Sequence, residues 1–163
     1  MRWIILGYAE PDSWKTSGAD APTPKDSTVK MMVSMGQHDL QDPDDEDVMS
    51  TGDIGMAFLY AAEFGEDEDP RLVKYIPYPG AEPEYYECMG PVYGSTEAPI
   101  RWHETFKAWI TAPEMGYEQM QNDKSAYRHK ATGHLVATHV DDCVTRGSRI
   151  QTLKFWAAAA KEY

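Results

Sequence analysis

Leu135-Val136-Ala137-Thr138-His139-Val140-Asp141-Asp142 is the stretch that decides how this chain folds and what it does. Residues 135–140 are an apolar, β-prone run, and two adjacent carboxylates follow at once. An Asp-Asp pair in that place predicts a tight turn between two strands, with both acids projecting from the sheet edge. Like charges that close repel unless a cation holds them, and oxygen ligands suit a hard divalent ion. The plain alternative is a solvated hairpin turn, since Asp is a common turn residue. Cys143-Val144-Thr145 is expected to return as the second arm, ended by Gly147.

Composition bounds the choice. A chain of 163 residues suits one domain with a real core. Hydrophobic residues make up 42% and charged residues 26%, as in ordinary folded domains. No apolar run approaches the roughly 20 residues that cross a bilayer, so no membrane partner is expected. The opening Met1-Arg2-Trp3-Ile4-Ile5-Leu6-Gly7 is too short for a signal peptide and lacks a small-residue cleavage site. Cys88 and Cys143 make neither a disulfide framework nor a zinc spacing. An intracellular setting, cytoplasmic or nuclear and not secreted, is the expectation.

The net charge is −12, from 15 basic and 27 acidic residues. That opposes a surface built to live on nucleic acid, whose phosphates demand a positive field. Asp42, Asp44, Asp45, Glu46 and Asp47 form one acidic cluster, and Glu66, Asp67, Glu68 and Asp69 another. Both read as solvated loops. The first imitates a calcium loop but carries Asp47 where the sharp-turn glycine belongs, which excludes it.

Trp3-Ile4-Ile5-Leu6 is a short strand candidate, and residues 9–26, with Pro11, Gly18, Pro22 and Pro24, read as irregular loop. Asp26 or Ser27 is placed to cap a helix reaching about Gly36, with Val29, Met32, Val33 and Gly36 on its core face. Val48 to Ile54 predicts a strand, and Met56 to Tyr60 a helical turn. A second loop over 63–83 is broken by an extended piece, Leu72 to Ile76, and Tyr85 to Met89 predicts a strand. A helix over about 96–111 has Trp102, Phe106, Trp109 and Ile110 as its sheet-packing stripe, and Pro113 and Gly116 stop it. Strands are expected at Tyr117–Met120, Ser125–His129 and His134–Val140. The last helix, Arg149 to Glu162, sets Ile150, Leu153, Trp156 and Ala160 on one face. This order predicts an α+β domain, a mostly antiparallel sheet packed against two or three helices.

A second strand-end acid is Asp53, followed by Ile54-Gly55-Met56-Ala57-Phe58-Leu59. Its plain role is a helix N-cap. Its functional role requires Asp53 and Asp141 to meet across neighbouring strands. Separated carboxylates could then hold two magnesium ions roughly 4 Å apart for in-line phosphoryl transfer.

At this point the chain resembles the reverse transcriptase domain of copia-type retrotransposons. Asp53 to Leu59 matches the family's Asp-Val-x-x-Ala-Phe-Leu, and His139-Val140-Asp141-Asp142 matches its Tyr-Val-Asp-Asp, with the trailing glycine at Gly147. Val92-Tyr93-Gly94-Ser95-Thr96-Glu97-Ala98-Pro99-Ile100-Arg101-Trp102 matches its Leu-Tyr-Gly-Leu-Lys-Gln-x-Pro-x-x-Trp block. Gly116-Tyr117 with Asp123 matches its Gly-Phe…Asp step, and Ile76-Pro77-Tyr78-Pro79-Gly80 its proline-glycine run. Upstream, Arg2 to Gly7 is similar to a fingers strand, and Ala21-Pro22-Thr23 with Ser27 to Lys30 to the stretch after it.

The resemblance implies a single partial reverse transcriptase domain over residues 1–163, with a fingers remnant at 1–47 and a palm-centred part at 48–163. The thumb, ribonuclease H and integrase portions of such a polyprotein would be absent. It implies an RNA-directed DNA polymerase, a nucleotidyltransferase acting on a primer 3′-hydroxyl with an RNA or DNA template and deoxynucleotides. Asp53, Asp141 and Asp142 would be the acid triad for two Mg2+ (or Mn2+) ions, with Asp53 and Asp141 the direct ligands. Phe58 would be the steric gate against a ribose 2′-OH. Backbone N–H groups from Ile54 to Ala57 would hold the triphosphate. Tyr93 and Gly94 would shape the nucleotide pocket, Arg2 would reach the triphosphate, and His139 would stand near the primer end.

The departures are specific. His139 replaces the family's tyrosine, and Thr96 and Glu97 replace its lysine and glutamine, exchanging positive charge for negative along the template path. A polymerase without a thumb, and with an acidic surface, grips a duplex weakly. Two other readings therefore accompany the polymerase: a catalytically dead retrotransposon remnant, and an acidic domain that binds a basic protein partner.

Overall fold

The computed structural model describes residues 20–34, 45–68 and 71–163. The strand expected at Arg2 to Gly7, most of the first loop, the end of the first helix and the acids Asp42, Asp44 and Asp69 lie outside them. In chain order the elements are α1 (Asp26–Ser34), β1 (Asp47–Asp53), a 3-10 turn (Ala57–Tyr60), β2 (Arg71–Tyr75), β3 (Glu84–Cys88), α2 (Ala98–Ile110), β4 (Tyr117–Gln119), β5 (Ala126–His129), β6 (Leu135–His139), β7 (Asp142–Ser148) and α3 (Arg149–Glu162). Five strands pair antiparallel in the order β1-β7-β6-β5-β4, and β2 pairs with β3 in a separate two-stranded sheet. The architecture is α+β.

Side chains alternate across a strand, so the five-stranded sheet has two distinct faces. Tyr127, Val136 and Cys143 point to one, where Trp102, Phe106 and Ile110 of α2 and Phe155 of α3 complete the larger core. Leu135, Ala137 and Ala126 point to the other, where Met32 of α1 covers them. Helix α2 begins with Pro99 in its first turn, where no intrahelical N–H is needed. Helix α3 is capped by Ser148, whose Oγ accepts from the Gln151 N–H at 3.2 Å.

Several expectations change on this framework. On α3 the buried side chains are Thr152, Phe155 and Ala159, while Ile150 and Leu153 are exposed. A polar residue lies inside because buried His134, just before β6, needs a partner: its Nε2 meets Thr152 Oγ1 at 3.0 Å, and its Nδ1 meets Tyr117 Oη at 2.8 Å. On α1, Thr28 and Met32 are buried and Val33 is exposed. Thr28 turns inward because its hydroxyl donates to Asp123 at 2.5 Å. Asp123 also accepts from the Lys25 N–H at 2.9 Å, the Ser125 N–H at 3.1 Å and the Ser125 hydroxyl at 2.6 Å. Burial raises its carboxyl, but these hydrogen bonds outweigh burial and hold it below the ordinary range.

Gly147 does not end the second arm of the hairpin. It sits within β7 at φ +141°, with His134 Cα 3.2 Å from where a Cβ would stand. The acidic clusters are not simply solvated either. Asp47 pairs with Arg146, Glu46 with Arg149 at 2.9 Å, and Asp45 with the Ser148 hydroxyl, so the first cluster clips the start of α3. Glu68 of the second pairs with Arg101 of α2.

Candidate active site

Strands β6 and β7 are joined by a two-residue loop, Val140-Asp141, with His139 and Asp142 as its flanking pair. Asp142 thus opens the returning strand, and Asp141 occupies the tip. Of the two loop residues only Val140 has positive φ, at +57°. Positive φ at the first loop position is what a two-residue hairpin of type II′ requires. Glycine normally supplies it, and a β-branched residue there is an outlier, costing about 1–3 kcal/mol. Such strain persists only where neighbours impose it. Here Trp102 Nε1–H donates to the Val140 carbonyl at 2.7 Å, and the Ile54 N–H donates to the Asp141 carbonyl at 2.9 Å.

Strand β1 lies against the outer side of β7 in a register that sets Asp53 opposite Asp142. Opposed residues of an antiparallel pair share a face, with Cβ atoms about 4.5–5.5 Å apart. The register therefore aligns Asp53, Asp142 and His139 as a row across three strands, on the sheet face away from α2 and α3. All three are exposed, and Asp141 at the tip is half-buried. Their charges converge on one buried atom beneath: burial first, then the carboxylates of Asp142, Asp141 and Asp53, push the Cys143 thiol up to about 12. Gly52, just before Asp53, keeps β1 in place. A Cβ there would meet the Trp156 ring at 2.5 Å, and the Trp156 indole N–H donates to Ser50 Oγ at 3.1 Å.

Beyond Asp53 the backbone turns through Met56, left-handed at φ 61° and ψ 27°, into the 3-10 turn. The Ile54 N–H, expected among the triphosphate donors, is taken by the Asp141 carbonyl. That leaves the Gly55 to Ala57 backbone, with open space around Gly55. Ala57 is buried. Phe58 is half-buried and packs edge-on against Tyr93, with ring centroids 5.3 Å apart. Gly94 follows at φ +92°, exposed in the turn before α2. Arg2 lies outside the described residues.

Glu97 is not the bare negative charge its substitution implied. It forms ion pairs with Arg71 of β2 and Arg101 of its own helix, and both guanidinium groups lie over the Phe64 ring at about 5 Å. Helix α2, the two-stranded sheet and the loop before it are tied together there. What the sequence did not disclose is Trp102 as a hydrogen-bond donor. Its place in an apolar stripe pointed to packing alone, and only its lone N–H hinted at more.

No protein-family model matches this chain, and neither does any curated protein or solved structure. Among the described residues no group of three or more His, Cys, Asp or Glu side chains is placed so that it could hold a metal ion. Magnesium is commonly held by one or two carboxylates together with substrate phosphates, not by an all-protein cage. An oxygen-only pair facing across two strands, with a third carboxylate at the adjoining turn, fits that mode.

Proposed function

We propose that this chain is the palm-centred part of an RNA-directed DNA polymerase of the copia-type retrotransposon kind, acting by two-metal nucleotidyl transfer. One observation carries the reading. Two motifs far apart in the chain, at Asp53 and at Asp141-Asp142, become neighbours through the β1–β7 register. The edge-on contact of Phe58 with Tyr93 supports it further, since these residues come from two different motifs.

In this reading Asp53, Asp141 and Asp142 hold the cations. Two divalent ions, when bound, supply the charge that acidifies the primer hydroxyl and stabilises the departing pyrophosphate. Phe58, held by Tyr93, occupies the space of a ribose 2′-OH and selects deoxynucleotides. The Tyr93-Gly94 turn shapes the nucleotide pocket, and the Gly55 to Ala57 backbone faces the triphosphate. His139 stands beside Asp142, where the primer end would lie.

The test is RNA-templated primer extension by the full chain at low salt, with Mg2+ or Mn2+, since added salt weakens phosphate contacts steeply. Extension is expected, falling to background in Asp141→Asn and Asp53→Asn, and Phe58→Ala should admit ribonucleotides. No extension by the folded wild-type chain would sink the reading. It would leave the inactive remnant and the acidic domain that binds a basic protein partner, the latter in keeping with the net charge of −12.

A further inference from the structure

We infer that Trp102 is the positioning residue for the acid turn: its indole N–H fixes the peptide between Val140 and Asp141, and with it the direction in which Asp141 projects. The catalytic arm of this inference rests on the polymerase reading; the conformational arm does not.

In a two-residue hairpin loop the carbonyl of the first residue and the N–H of the second form the central peptide. Turning that peptide over interconverts the two turn types that such loops adopt. Val140 supplies that carbonyl, and Trp102 Nε1–H holds it at 2.7 Å. The other loop carbonyl, of Asp141, is held from β1 by the Ile54 N–H at 2.9 Å. Both loop carbonyls are thus pinned from different elements, one by α2 and one by the end of β1.

The donor is itself immobile. Trp102 is 1% exposed and stacks with Phe106 and, edge-on, with Tyr163 at centroid distances of 5.8 and 5.0 Å. A tryptophan N–H has no second function; buried, it needs an acceptor. The Val140 carbonyl supplies one only while the turn keeps its strained shape. Without that bond the central peptide is free to turn over, Val140 keeping its positive φ in either turn type. Packing alone would not require the indole to point at this oxygen.

Two variants separate donation from packing. Trp102→Phe removes the N–H together with the five-membered part of the indole. Replacement of Trp102 by benzothienylalanine swaps the N–H for sulfur and keeps the shape, so it tests the hydrogen bond even if the phenylalanine variant folds poorly. The conformational readout is 15N relaxation dispersion at Val140 and Asp141, which sees microsecond-to-millisecond exchange. The inference expects exchange at these two amides in both variants and none in wild type. The catalytic readout is single-nucleotide extension with Mg2+. There kcat is expected to fall about tenfold while the nucleotide KM stays within about twofold, the pattern of a lost transition-state contact. Quiet Val140 and Asp141 amides in the benzothienyl variant, or unchanged kcat with a raised KM, overturn it. A wild-type chain that extends no primer overturns the polymerase reading alone, and the dispersion result still decides the role of Trp102.

Discussion

Asp53 and Asp142 face each other as like charges across β1 and β7, and such directly opposed pairs are destabilising. Asp53→Asn should therefore unfold at a slightly higher urea concentration than wild type while losing any cation response. A fall in midpoint would mean that the carboxylate is a structural acceptor instead. His134 sets a second test. Burial first, and then the neighbouring His129, lower its imidazole to about 4, against about 6.5 in an unfolded chain. Protonation is thus easier after unfolding. Stability should be complete above about pH 6.5 and fall as the pH drops toward 4, by up to about 3 kcal/mol. Urea midpoints across that window check it, and His134→Gln should flatten the slope. At this scale the sequence disclosed the acids, because two adjacent carboxylates after an apolar run are conspicuous. It hid the strain at Val140 and the donor role of Trp102, because backbone torsion and a side chain's aim depend on partners from other elements.

The acid row exists because the packing of α3 holds β1 at the sheet edge in one register. Trp156 of α3 lies over Gly52 with no room for a Cβ. Gly52→Ala should cost about 1–3 kcal/mol by overpacking and shift the Trp156 indole resonance; an unchanged resonance would mean that α3 does not hold β1. Helix α1 depends on Asp123. Asp123→Ala should destabilise by about 2–4 kcal/mol, since four hydrogen bonds to a buried carboxylate are lost. The native carboxyl is held below its usual range, so this contribution is present above the ordinary carboxylate pKa and is lost as pH falls through the lower folded value. Amide exchange across Asp26–Ser34 reads it directly. Among the described residues element existence was legible, because apolar periodicity and the Pro and Gly stops are local. Which face of α1 and α3 is buried was legible only in part: Met32 and Trp156 pack inward as expected, while Val33, Ile150 and Leu153 are exposed. There the inward residues Thr28 and Thr152 answer buried polar groups far away in sequence.

Taken whole, the chain carries a net charge of −12, yet much of its acid is internally engaged. Asp45, Glu46 and Asp47 secure α3, and Glu68 and Glu97 are bound to Arg71 and Arg101. Asp53, Asp141 and Asp142 stand apart, adjoining at one edge of the sheet. No helix among the described residues is long and apolar enough to cross a membrane. The α+β class was readable from strand order; that Asp53 faces Asp142 across β1 and β7 came from the resemblance and not from any single motif, because register is a tertiary property. That these two acids and Asp141 hold cations together is the proposed function's central claim. Substoichiometric Mn2+ added to the 15N-labelled chain tests it most directly, through paramagnetic broadening of backbone amides. The account predicts broadening centred on Asp53, Asp141 and Asp142 together, abolished in Asp53→Asn. Broadening centred on Asp45, Glu46 and Asp47, or unaltered by Asp53→Asn, would contradict it.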